Sequence, residues 1–183
     1  DFALVNLHGV VLKALGRLDE ALKQFDLAAK LDPKSLSPLV NRGTLGLYPP
    51  GSTFKVVTAT SALESGSYDP SSLFPGGSSY ETPGGDIRNF GNATYPPHTL
   101  STALTNSINT TFAQIGDELG REQLGATMTA YGFGERPPLD LPEVAISGRR
   151  GPGGKVLPND QRGEDTARIA IGSRCALSVL CGR

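Results

Sequence analysis

The run Tyr48-Pro49-Pro50-Gly51-Ser52-Thr53-Phe54-Lys55 constrains this chain more than any other stretch, because it turns a stiff loop into a helix within a few residues. The two prolines fix the approach and Gly51 permits the tight turn. From Ser52 onward the sequence Ser-Thr-Phe-Lys-Val-Val-Thr-Ala-Thr-Ser-Ala-Leu-Glu-Ser is predicted to be helical, with Gly66 as its stop. Ser52 and Lys55 then share one helix face, with Cβ atoms about 5–6 Å apart. The amine is within reach of the hydroxyl, which sits at a helix N-terminus where developing negative charge is favoured. A serine hydroxyl is a poor nucleophile until a neighbouring base takes its proton. Lysine is such a base only when its pKa falls well below its usual value of about 10.4. Val56, Val57 and Ala59 supply apolar surroundings for that shift. Taken alone, the Ser-x-x-Lys tetrad equally describes an ordinary helix start with an exposed lysine one turn in.

A second polar pair follows in Leu100-Ser-Thr-Ala-Leu-Thr-Asn-Ser107-Ile108-Asn109-Thr-Thr-Phe-Ala-Gln-Ile-Gly. Helical spacing precedes it (Leu100, Ala103, Leu104) and follows it (Phe112, Ile115, Leu119, with Gly120 as the stop). Ser107 therefore lies on a short connection between two helices, a rigid place for polar groups. Both Ser107 and Asn109 are also residue types that cap a helix well. Tyr131-Gly-Phe-Gly134 and Ala167-Arg-Ile-Ala-Ile-Gly172 come later in the chain.

In this order, these segments resemble the active-site landmarks of the penicillin-binding proteins, the serine D,D-transpeptidases that cross-link peptidoglycan. The likeness is to the class B type and covers residues 37–172. It implies that Ser52 is the catalytic nucleophile, acylated by D-Ala-D-Ala stem peptides or β-lactams, and that Lys55 is the base. Ser107 is implied to pass the proton between Lys55 and the leaving group. Asn109 is implied to hold Lys55 and the substrate amide. No cofactor and no metal is called for, and the expected place of action is outside the cytoplasmic membrane, in the cell envelope.

The resemblance also implies a third motif, Lys-Thr-Gly, on a strand that binds the substrate carboxylate and helps form the oxyanion hole. No such triplet follows Asn109 in the 183 residues. Removing one oxyanion donor costs on the order of 10²–10³ in rate, so a penicillin-binding fragment is expected rather than a fully active enzyme. Lys155, in Gly151-Pro-Gly-Gly-Lys155, has neither the spacing nor the neighbours of the third motif. That stretch also fails as a phosphate loop, because Arg149 stands where its first glycine belongs. It reads as a flexible loop. The fold class expected is mainly α: the helical portion of the α+β transpeptidase fold, with most of its antiparallel sheet missing.

The opening residues carry another pattern. Gly9, Leu12, Ala21, Phe25, Ala28 and Pro33 fall at the offsets of a tetratricopeptide repeat, a helical hairpin about 34 residues long. Small residues at Gly9, Ala21 and Ala28 let two helices approach, while Leu12, Leu22, Phe25 and Leu31 fill the seam. One repeat cannot bury its apolar face alone. The alternative to an acylating fragment is therefore a non-catalytic helical interaction module, with a protein partner supplying further repeats. The string Leu39-Val-Asn-Arg-Gly43 suits either family, so a natural two-module protein and a recombined reading frame with a chimeric, non-functional product both fit. The expected division is residues 1–36 for the hairpin, 37–172 for the transpeptidase-like part and 173–183 for an unrelated tail.

A net charge of −1 and the lack of a basic stripe argue against nucleic acid. No membrane span or signal segment is read in this sequence, which leaves the cytoplasm as the location if the transpeptidase reading fails. Glycine and proline concentrate in 75–97 and 137–158, read as long irregular connections. Cys175 and Cys181 are read as thiols in the tail, without metal-ligand company. His8 and His98 are read as structural or solvent-facing. The triplets at Asn92 and Asn109 match a glycosylation pattern that arises often by chance.

Overall fold

Small side chains bring the first two helices together. The computed structural model describes residues 2–32, 45–138, 144–150, 156–157 and 165–178, which fall into two units divided between Gly46 and Leu47. In the first unit α1 (Phe2–Ala14) and α2 (Leu18–Leu31) form an antiparallel hairpin. Helix α1 ends with Gly16 at φ +75. There the N–H of Gly16 reaches the Lys13 carbonyl and that of Arg17 reaches the Leu12 carbonyl, at 3.1 and 3.0 Å. A Cβ on Gly9 would lie 2.6 Å from the Phe25 ring, so a glycine is what the crossing requires. Leu12, Ala21 and Ala28 are buried in the seam. Leu4, Leu7, Leu15 and Leu22 are exposed. Pro33, the ambiguous string 39–43, the loop 151–155 and Cys181 lie outside the described residues.

The second unit begins with β1 (Leu47–Tyr48), a 3₁₀ turn over Gly51–Phe54 and α3 (Lys55–Glu64). Then come β2 (Leu73–Phe74), β3 (Ser79–Tyr80), β4 (Ile87–Arg88) and β5 (His98–Thr99). Two helices follow, α4 (Leu100–Thr105) and α5 (Asn109–Ala130). The unit closes with β6 (Gly148–Arg150), β7 (Val156–Leu157), α6 (Thr166–Ala170) and β8 (Cys175–Ser178). Helix α5 is broken at Gly120, φ +69, where the sequence places a stop; a further helical stretch then continues to Ala130.

The strands make one antiparallel four-stranded sheet, in the order β1-β8-β6-β7, and two ribbons, β2-β5 and β3-β4. Cys175–Ser178, set apart from sequence as a tail, supplies β8 and pairs with both β1 and β6. The Cys175 side chain is buried there, its Sγ 3.9 Å from the Ile169 carbonyl. The glycine- and proline-rich stretch 75–97 is not irregular throughout, because β3 and β4 pair within it. His98 is buried, with Nδ1 on the Pro96 carbonyl and Nε2 on the Thr111 hydroxyl, both at 2.7 Å; it is structural. His8 faces solvent.

Helix α3 runs between two apolar clusters. Phe54 and Val57 pack with Leu124, Met128, Phe133 and Ile169, while Ala59 and Ala62 pack with Leu100, Ile108, Phe112 and Ile115. Phe133, in the Tyr131–Gly134 landmark, meets Phe54 edge to face at 5.5 Å between ring centroids. The Thr58 hydroxyl donates to the Ala170 carbonyl at 2.7 Å, tying α3 to α6. The most exacting contact lies just beyond α6. Gly172 has φ +74, and a Cβ on it would stand 2.1 Å from the carbonyl oxygen of Gly51, the residue before Ser52. Gly172→Ala combines a left-handed backbone with a clash against main chain. A loss of at least about 2 kcal/mol in urea unfolding is expected; a loss under about 0.5 kcal/mol would show that the turn gives way freely.

Candidate active site

Ser52 lies in the 3₁₀ turn and Lys55 opens α3, so the α-helix starts three residues later than the sequence predicts, and the two side chains have different surroundings. Ser52 is exposed, and its carbonyl accepts the backbone N–H of Lys55. Lys55 is 1% exposed. Its aliphatic stem enters the core, and its Nζ lies 5.6 Å from the centre of the Phe112 ring. Burial pushes the Lys55 pKa down to about 8.

Three oxygens receive the buried amine. Nζ donates to the Ser107 carbonyl at 2.6 Å, to Asn109 Oδ1 at 2.6 Å and to Ser107 Oγ at 3.0 Å. An ammonium has three N–H donors, so this set saturates it. After loss of one proton the two carbonyl-type oxygens still each take an N–H. The Ser107 hydroxyl is the one partner of the three that can reverse its role and donate to the nitrogen. The geometry thus supports a proton running between Lys55 and Ser107. No hydrogen bond of the Ser52 hydroxyl is found among the described residues, so the structure unites Lys55, Ser107 and Asn109 and leaves Ser52 exposed.

Local backbone chemistry explains how Ser107 gets there. Helix α4 ends at Asn106, followed by Ser107 at φ +53, the left-handed position where glycine is usual. The N–H of Ser107 binds the Leu104 carbonyl at 3.1 Å, and that of Ile108 binds the Ala103 carbonyl at 2.9 Å. Ile108 and Ala103 are both buried. The corner therefore closes through paired backbone bonds over an apolar contact, and aims both the carbonyl and the hydroxyl of Ser107 at Lys55. The capping reading of the sequence is corrected here: the N-cap of α5 is Ile108, with no side-chain cap bond, and Ser107 and Asn109 are occupied with the amine instead. Asn109 Nδ2 donates to the Arg88 carbonyl at 2.8 Å, which fixes which end of its amide faces Lys55. That β4 carbonyl has no residue-type signature, and sequence reading missed it.

Comparison with known proteins gives the class. The family model described as the penicillin binding protein transpeptidase domain matches residues 14–179. The chain therefore belongs to the penicillin-binding protein transpeptidase family, and covers part of that domain. Peptidoglycan D,D-transpeptidase PbpA of Mycolicibacterium smegmatis is 37% identical over 131 residues, 68% of this chain and 26% of that protein. Peptidoglycan D,D-transpeptidase MrdA of Escherichia coli is 31% identical over 127 residues, 68% of this chain and 20% of that protein. Among solved structures, the imipenem acyl-enzyme complex of penicillin-binding protein A from M. tuberculosis superimposes with TM-score 0.69 and 30% identity, over 85% of this chain and 35% of that one. The complex of PBP2 and MreC from Helicobacter pylori superimposes with TM-score 0.68 and 29% identity, over 84% of this chain and 30% of that one. The chain thus spans about a quarter or less of the length of these two curated relatives.

The Ser107 corner yields a stability test. Ser107→Gly removes the left-handed penalty together with the hydroxyl, whereas Ser107→Ala removes the hydroxyl and keeps the penalty. The glycine variant is expected to be more stable than the alanine variant by about 1 kcal/mol in urea unfolding. Equal stability would mean that the corner carries no backbone strain.

Proposed function

We propose that the second unit is a β-lactam-binding acylation site of the D,D-transpeptidase type, with Ser52 as nucleophile. The buried Lys55 amine, held by the carbonyl and hydroxyl of Ser107 and by Asn109 one turn after an exposed Ser52, is the observation that carries this reading. Ser52 Oγ attacks the carbonyl carbon of a β-lactam or of a D-Ala-D-Ala stem peptide. The Ser52 proton passes to neutral Lys55; Ser107 gives its own proton to the amide nitrogen as the C–N bond breaks and is reprotonated by Lys55. The products are a serine ester and a free amine, with Lys55 neutral again. Asn109 holds Lys55 on one side and the substrate amide on the other. The acyl-enzyme state of the solved M. tuberculosis relative supports this half-reaction, as does the peptidoglycan assignment of PbpA and MrdA. The reading implies action outside the cytoplasmic membrane; among the described residues no helix is long and apolar enough to cross a membrane. Capture of the acyl group is the activity proposed for these residues; turnover requires the carboxylate-binding strand that the third motif defines.

The α1–α2 hairpin carries a second reading. Its glycine crossing and its exposed Leu4, Leu7, Leu15 and Leu22 suit a tetratricopeptide-like unit, with residues 1–36 as an appended module that stacks on a helical protein partner. A sizing experiment that finds only monomer, with no partner bound, counts against it.

Two measurements test the acylation reading. Purified chain incubated with labelled penicillin is expected to gain one adduct, mapped by mass spectrometry to Ser52 and lost in Ser52→Ala; an equal adduct on the variant would refute it. The acylation rate is expected to rise with pH through about 8 and level off above it, because the neutral amine is the competent base. A rate that is flat or falling across that range would remove Lys55 from the role.

A further inference from the structure

Asn89 follows β4 directly, and its side chain is 5% exposed. Its Nδ2 donates to the carbonyls of Gly77 and Ala93, each at 3.0 Å, and its Oδ1 accepts the backbone N–H of Thr110 at 3.1 Å. That N–H belongs to the first turn of α5, where a helix has no internal acceptor. One residue earlier, the Arg88 carbonyl receives Asn109 Nδ2 at 2.8 Å. Strand β4 is thus fastened to the start of α5 at two successive positions, Arg88 to Asn109 and Asn89 to Thr110. Beyond Asn89 the chain passes through Gly91 at φ +63 and Asn92 at φ +56, a strained turn closed by the bonds Asn92 N–H to Asn89 carbonyl and Asn89 Nδ2 to Ala93 carbonyl.

The second fastening matters because of what the first one does. An asparagine amide is nearly symmetric in shape, so Asn109 is free to flip unless something distinguishes its ends. A flipped Asn109 would present an NH₂ group to the Lys55 amine, donor against donor. The Arg88 carbonyl excludes that state only while it stays in place, and a two-residue strand has little of its own to hold it. We propose that Asn89 is a positioning residue for this site: by pinning β4 to α5 it keeps the Arg88 carbonyl on Asn109 and so aims Asn109 Oδ1 at Lys55. The proposal rests on the reading of Ser52, Lys55, Ser107 and Asn109 as an acylation site. Arg88 and Asp86, the charged groups of this ribbon edge, pair with each other at 4.0 Å with their side chains exposed. Burial alone accounts for the shift of Lys55.

The test uses the full chain as wild type, Asn89→Ala, Asn109→Ala and the double variant. Two readouts are taken: the rate of penicillin labelling, and the titration midpoint of Lys55 from its ¹³Cε resonance. Above about pH 9, where Lys55 is largely neutral in wild type and variants alike, Asn89→Ala is expected to slow labelling about 10-fold, as the loss of one hydrogen bond to the ammonium formed on proton transfer implies. It is also expected to move the Lys55 midpoint to lower pH, as Asn109→Ala does, because the ammonium loses a fixed acceptor. In the Asn109→Ala background it should change neither readout further. A lowered melting temperature with the Lys55 midpoint at its wild-type value overturns the proposal, as do effects that add in full to those of Asn109→Ala. Where Asn89→Ala does not melt cooperatively, Asn89→Ser takes its place. Failure of both to fold makes Asn89 a stability residue only, and overturns the proposal too. If the wild type takes no label at Ser52, the acylation reading fails, while the titration still decides the role of Asn89.

Discussion

The candidate site of the second unit is organised around the buried amine of Lys55. Taking an ammonium out of water costs several kcal/mol unless hydrogen bonds replace the lost hydration. Here the replacement comes from a single corner of the chain, the carbonyl and hydroxyl of Ser107 and the amide oxygen of Asn109. The helix that carries Lys55 must therefore lie against the α4–α5 corner at one depth and one rotation. The apolar clusters on both sides of α3 fix that depth. The left-handed Ser107 is tolerated because the amine, the paired backbone bonds and the buried Ile108 all depend on it.

The turn that presents Ser52 is held by a different kind of contact. Gly172 touches the carbonyl of Gly51, and Phe133 meets Phe54, so both later landmarks of the chain buttress the turn that presents Ser52. Their family resemblance thus has a physical basis: one landmark needs a residue without a Cβ, the other an aromatic edge. The division of labour is plain. Polar groups hold the Lys55 amine in place, and steric contacts set the path of the main chain into Ser52.

Much of this was legible in the sequence, and the reasons differ by element. Pro49, Pro50 and Gly51 announce a turn, and the apolar spacing after Ser52 announces a helix, so the turn into α3 was readable, while the partners of the Lys55 amine, Ser107 and Asn109, were implied only by the resemblance. The corner at Ser107 was readable as a break between two helical patterns, though as a cap rather than as a left-handed turn, because serine gives no sign of positive φ. Gly9 and Ala28 foretold a close helical hairpin. The ribbons were not readable, since two-residue strands such as β3 and β4 are too short to show alternation. Strand β8 was hidden for another reason: Cys175–Ser178 owes its place to pairing with β1, far away in sequence. The Arg88 carbonyl, being backbone, leaves no trace in residue type at all.

The ionisation of Lys55 tests the account most directly. A ¹³Cε titration of the wild-type chain, assigned by comparison with Lys55→Met, is predicted to show one lysine with a midpoint near 8. A midpoint at the ordinary lysine value of about 10.4 would mean that the amine is solvated rather than buried among Ser107 and Asn109, and would contradict the account.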